Sequence, residues 1–164
     1  MKTLYLAGPD VFYPDALERG ARLKRLCAAY GFEGLFPLDN TIAAASPLET
    51  ARAIREANLE LIRRCDAVLA NLEPFRGFEP DSGTIFEVGY AAALGKRVVG
   101  YTPDLRTMGE RLREFQSLDA ASACDREGLM IEEFGLSHNL MFAELVRARS
   151  AEDALQLLRE RMPA

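Results

Sequence analysis

Asp66-Ala67-Val68-Leu69-Ala70-Asn71-Leu72, a loop from Glu73 to Pro80, Asp81-Ser82-Gly83-Thr84-Ile85-Phe86-Glu87-Val88-Gly89-Tyr90 running on to Leu94, then Lys96-Arg97-Val98-Val99-Gly100-Tyr101: this stretch decides the fold. Its first segment is a continuous apolar run, the pattern of a strand covered on both faces in a parallel sheet. A helix and a second apolar strand follow, which makes a right-handed βαβ unit.

Working outward, Lys2 to Ala7 reads as a buried strand ending at Gly8-Pro9-Asp10. Asp15 to Tyr30 carries apolar residues at spacings of three and four, the mark of a helix, and Gly31 stops it. Phe32 to Phe36 is a short strand before Pro37-Leu38-Asp39-Asn40. After a loop from Thr41 to Ala45, Ser46-Pro47-Leu48-Glu49 starts a helix, with a serine cap, proline at the first helical position and glutamate three after the cap. That helix runs to Arg64, with Ile54, Ala57, Leu61 and Ile62 on one face and polar Asn58 among them. Beyond Tyr101, Met108 to Phe115 reads as a short helix, Asp119 to Glu127 as a loop and Leu129 to Ile131 as a short edge strand. Asn139 to Arg147 reads as a helix, and Ser150 caps a last one, Ala151 to Arg161. The expected architecture is a flavodoxin-like three-layer α/β/α sandwich with a parallel sheet of four to five strands, residues 1–164 forming a single domain.

The 164 residues are enough for one sizeable core, and 49% of them are hydrophobic, as in a globular rather than a disordered chain. A net charge of -5 and a pI of about 5.0 argue against nucleic acid or an anionic membrane as partner. No apolar run approaches the roughly 18 residues that span a bilayer. Cys27, Cys65 and Cys124 lie far apart without metal or redox spacing, and there is one histidine, so no metal site is expected. Reduced thiols and an N-terminus without a signal segment point to the cytoplasm.

Three loops, Gly8-Pro9-Asp10, Pro37 to Asn40 and Glu73 to Gly83, follow strand ends and so share the rim where open α/β sheets bind ligands. Between Ser82 and Gly95 the one charged residue is Glu87. A carboxylate in so apolar a helix needs a partner or a function. Helical side chains lean toward the helix N-terminus, which shortens the roughly 9 Å of axis between Glu87 and Asp81. Two carboxylates facing one cleft can divide the work of nucleophile and proton donor, as in retaining glycosyl transfer. The helix N-terminus is expected to keep Glu87 ionised, and Gly83 to leave room for a substrate above it. The bland readings stand beside these. Glu87 could pair with a basic residue, Asp81 could only cap the helix, Asn58 could be a satisfied core amide, Gly8-Pro9 could be an ordinary turn and Tyr5 ordinary core. His138 reads as exposed and incidental.

At these residues the chain resembles the nucleoside 2-deoxyribosyltransferase family. The resemblance is carried by Tyr5-Leu6-Ala7-Gly8-Pro9, Pro37-Leu38-Asp39-Asn40, the Asn58 helix with Cys65 to Leu72, the motif from Asp81 to Ala91, and Asn139-Leu140-Met141. It implies that Glu87 attacks C1′ of a 2′-deoxynucleoside, that a covalent deoxyribosyl-enzyme passes the sugar to a second base, and that configuration is retained. It implies Asp81 for base positioning and proton transfer, and Tyr5 for holding the nucleophile. It also implies a homo-oligomer, dimer or hexamer, in which Asn139 and Met141 reach the sugar 5′ end in a neighbouring site. The partners would be small-molecule deoxynucleosides and nucleobases, without a cofactor. Asn58 stands where some members carry a base-contacting aspartate, and Thr41 where some carry glutamine, so purine or pyrimidine preference stays open. Relatives that hydrolyse deoxynucleoside 5′-monophosphates lack the Asn-Leu-Met segment, which favours free nucleosides here. The alternatives are an N-glycoside hydrolase using the same glutamate with water as acceptor, and a nucleotide-sensing module, which would have no use for a poised nucleophile. The Gly-Pro-Asp end of the first strand, in place of a Ser/Thr-rich phosphate loop, speaks against an electron carrier.

Overall fold

A computed structural model describes residues 1–40, 42 and 46–162. The sequence-derived expectations for Thr41 and for Ala43 to Ala45 lie outside the described residues. The strands are β1 (Lys2–Ala7), β2 (Phe32–Leu35), β3 (Ala67–Asn71), β4 (Arg97–Tyr101) and β5 (Val146–Ala148). The α-helices are α1 (Ala16–Ala29), α2 (Pro47–Arg64), α3 (Ser82–Ala93), α4 (Met108–Gln116) and α5 (Ala151–Arg161). The strands pair in parallel in the order β2-β1-β3-β4-β5. Because β2 and β3 flank β1, the chain reverses its direction of travel across the sheet there, and a crevice opens beyond the strand ends at such a point.

Side-chain alternation along β1 builds the layers. Leu4 and Leu6 enter one core with Cys27 of α1 and Ala154, Leu155 and Leu158 of α5. Tyr5 and Ala7 enter the other with Ile62 of α2 and Val88 and Ala91 of α3. All of β3 is buried, as its apolar run requires. Tyr5 thus arrives, fully buried, on the face covered by α2 and α3. The helix starts follow their side chains: Ser46, Thr107 and Ser150 each accept a hydrogen bond from the backbone N–H three residues on. This is the flavodoxin-like parallel α/β architecture expected from the sequence, with five strands.

The C-terminal third departs from expectation. Asn139 to Arg147 is not a helix. Leu140 to Phe142 makes one 3-10 turn, and Val146–Ala148 is the fifth strand, paired to Gly100 and Tyr101 of β4. Leu129 to Ile131 contributes an isolated antiparallel bridge, Cys124 to Met130, instead of an edge strand. His138 is buried, 2% exposed, with Nε2 2.9 Å from the carbonyl of Leu72. Burial holds its pKa below the ordinary histidine value, so it is a neutral strut and not an exposed, incidental side chain.

Candidate active site

Asp81 fixes the start of α3. Its Oδ2 accepts from the Thr84 N–H at 2.8 Å and from Thr84 Oγ1 at 3.0 Å, with Thr84 itself buried. Asp81 is therefore a helix cap, and none of the described residues donates to its Oδ1. A Cβ at Gly83 would lie 3.0 Å from the capping oxygen, so glycine keeps this corner open.

Glu87 comes one turn further along α3 and meets β1 and α2. Its Oε1 accepts from the Tyr5 hydroxyl at 2.6 Å and, more weakly, from Asn58 Nδ2 at 3.4 Å. Both donors use the same oxygen, and none of the described residues donates to Oε2. Burial pushes the Glu87 carboxyl up to about 7; the Asp81 charge adds to this, while the Tyr5 and Asn58 hydrogen bonds pull it back. The expected help from the helix N-terminus is outweighed: desolvation wins at this site. Burial and the Glu87 charge raise the Tyr5 phenol in turn, so it stays a hydrogen-bond donor at any working pH.

A groove of about 460 Å³ opens over this carboxylate. Asn58, Gly83 and Glu87 line it together with Ala51, Ile54 and Phe86. The groove residues Ala51, Ile54, Arg55 and Asn58 recur at i, i+3, i+4 and i+7, one face of α2. That spacing was available in the sequence, but Ile54 reads there as core; it is 41% exposed and walls the groove. Phe86, 53% exposed, stacks on Tyr90 of the same helix, with ring centroids 6.4 Å apart.

Tyr5, Asn58, Gly83 and Glu87 are thus brought together, with Asp81 at the head of the same helix. Gly8 and Pro9 do not line the groove. A Cβ at Gly8 would meet Asn71 Cβ at 2.8 Å, so this glycine serves close packing of β1 on β3. Just beyond it, buried Asp10 accepts from Asn71 Nδ2 at 3.1 Å and pairs with Arg19 at 3.2 Å. Asn139 and Met141 do not line the groove either. Asn139 caps the 3-10 turn, accepting from the Met141 N–H at 3.1 Å, and the Met141 side chain projects outward, 77% exposed. Among the described residues, no group of three or more His, Cys, Asp or Glu could hold a metal ion, and no helix is long and apolar enough to cross a membrane.

Comparison with known proteins gives the family. A 2-deoxyribosyltransferase from Leishmania mexicana is 38% identical and superposes with a TM-score of 0.81, covering 99% of each chain. An uncharacterised protein of Schizosaccharomyces pombe is 33% identical over an alignment of 161 positions that covers 88% of this chain and 76% of that protein. A conserved protein from Enterococcus faecalis V583, 24% identical over 99% of each chain at a TM-score of 0.62, shares the fold. The sequence model of nucleoside 2-deoxyribosyltransferases matches residues 4–141. The chain belongs to the nucleoside 2-deoxyribosyltransferase family, glycosyltransferase-type enzymes that act on small-molecule nucleosides and bases.

Proposed function

We propose that this protein transfers 2-deoxyribose from one nucleobase to another through a covalent intermediate on Glu87. The observation that carries the reading is that Tyr5 and Asn58 both hold Glu87 Oε1. That arrangement orients the carboxylate and leaves Oε2 as the attacking atom. Oε2 forms a bond to C1′ as the C1′–N bond breaks, and its electron pair leaves with the base. Asp81, through Oδ1, positions that base and serves its proton transfer. A second base then attacks C1′, the C1′–Oε2 bond breaks, and Glu87 is released. Two inversions give net retention.

The whole of residues 1–164 acts as one transferase domain in this reading, in a cytoplasmic homo-oligomer, dimer or hexamer, serving nucleoside salvage. Asn139 and Met141 reach a neighbouring subunit's sugar 5′ end. Their place outside the groove and the exposure of Met141 fit a role in a site other than their own. Gly8 and Pro9 support the rim rather than touch the substrate. One observation favours a second reading, N-glycoside hydrolysis of deoxynucleosides or their 5′-monophosphates: the groove is open along Ile54 and Phe86, where water can reach Glu87. Incubation with thymidine and adenine separates the two. Transfer gives 2′-deoxyadenosine in step with thymine, and hydrolysis gives thymine with free sugar. Neither product, across several base pairs, overturns both.

A further inference from the structure

We infer that Glu132 is a positioning residue that aims Asn139 at its substrate. The inference rests on the proposed reading of Asn139 as a substrate-facing group. One oxygen of Glu132, Oε1, accepts from Asn139 Nδ2, and the other, Oε2, accepts from the Leu140 N–H at 3.0 Å. A single carboxylate thus fixes both the amide side chain and the start of the turn that carries Leu140 and Met141. Asn139 Oδ1 is already taken by the Met141 N–H. An amide nitrogen has two hydrogens; Glu132 takes one, and the other remains to meet a hydroxyl or other acceptor oxygen outside the chain.

The segment is anchored from beneath as well. His138, the preceding residue, donates from Nε2 to the Leu72 carbonyl at the end of β3, and its Nδ1 faces Ser137 Oγ at 3.1 Å. The carbonyl of Ser137 accepts from buried Arg111. These contacts fix the main chain but not the direction of the Asn139 side chain. Leu140 and Met141 are 44% and 77% exposed, so packing within this chain does not restrict the segment's outer face. Charge-assisted hydrogen bonds to one carboxylate supply that restriction, and preorganisation of this kind is what a substrate-binding group needs.

The test uses the full-length protein in five forms: wild type, Glu132→Gln, Glu132→Ala, Asn139→Ala and Glu132→Ala with Asn139→Ala. Deoxyribosyl transfer to adenine is measured from thymidine and from 5′-deoxythymidine, which lacks the 5′ hydroxyl. We expect Glu132→Ala to raise KM for thymidine about tenfold, the scale of one charge-assisted hydrogen bond, with kcat within about twofold. The double variant should be no worse than Asn139→Ala, and the Glu132 effect should vanish with 5′-deoxythymidine. Glu132→Gln keeps one acceptor and should fall between; it carries the test if Glu132→Ala does not fold. Equal losses on both donors, or additive losses, mean a structural role and overturn the inference. Wild-type KM in Glu132→Ala with a defective Asn139→Ala overturns it while sparing the Asn139 reading. Wild-type behaviour in Asn139→Ala removes that reading and the inference with it. Independently of activity, the Asn139 side-chain amide should show one slowly exchanging proton in a ¹⁵N-labelled sample, lost in Glu132→Ala; its absence in the wild type also overturns the inference.

Discussion

Glu87→Gln should make the protein more stable at alkaline pH while abolishing its activity. The Glu87 carboxyl titrates near 7 in the fold, against 4.5 without the surrounding structure. A raised carboxyl means that the folded state prefers the proton. Its stability contribution is therefore complete below about pH 4.5 and is lost as pH rises through about 7. The difference between about 7 and 4.5 corresponds to about 3 kcal/mol at most, less whatever water in the groove returns by solvating the ionised group. Glutamine keeps the shape and still accepts from Tyr5, but it carries no charge to desolvate. Thermal unfolding of wild type and variant, followed by circular dichroism from pH 5 to pH 9, measures the difference directly. The two melting temperatures should nearly coincide at pH 5 and diverge through neutrality, with the variant higher by roughly 5–10 °C at pH 8.5 for a chain of this size. A difference that stays flat across the range, or a less stable variant at pH 8.5, would refute the burial argument for Glu87.

Other consequences follow from the same contacts. Attack needs the ionised carboxylate, so single-turnover rates should rise with pH through about 7; Tyr5→Phe removes a bond that lowers this pKa and should move the midpoint up, whereas Asp81→Asn removes a charge that raises it and should move it down. Shifts in the same direction would contradict the assignment. Asp81→Ala, unlike Asp81→Asn, removes the cap on α3 and should cost about 1 kcal/mol in urea unfolding. Gly20→Ala should cost about 1–3 kcal/mol, because the new Cβ runs into the Phe36 ring where α1 packs beside β2. His138→Leu removes the hydrogen bond to the Leu72 carbonyl and should cost about 1–3 kcal/mol, seen in the same unfolding assay.

Much of this fold lies in local signals. The β3 run, the capped starts at Ser46 and Ser150, and the glycine that ends α1 each match sequence to structure within a residue or two. The C-terminal third was harder for a physical reason. Leu140, Ala143 and Val146 recur at a spacing of three that suits one helical face, with Phe142 beside them, and only pairing with Gly100 and Tyr101 makes a strand of Val146–Ala148. A three-residue edge strand has too few side chains to announce itself. His138 was misread because a lone histidine carries no local sign of the carbonyl it will find 66 residues away. At the site, the motif singles out Glu87 and Asp81, and alternation along β1 turns Tyr5 inward. That Tyr5 holds Glu87 follows from the family resemblance alone, since no local pattern links two residues 82 positions apart. The Glu87 carboxyl is raised rather than kept ionised for a related reason. The helix N-terminus is visible in sequence, but the depth of burial between α2 and β1 is a tertiary quantity, and it decides the balance.

In the proposed mechanism the sugar rests on Glu87 between two bases; this step can be trapped. It is tested most directly by incubating the protein with a 2′-deoxynucleoside in the absence of an acceptor base, quenching in acid and mapping peptides by mass spectrometry. One deoxyribosyl group is expected on the peptide containing Glu87, discharged by added adenine to 2′-deoxyadenosine and absent from Glu87→Gln. An adduct on another residue, or transfer that persists in Glu87→Gln, would contradict it.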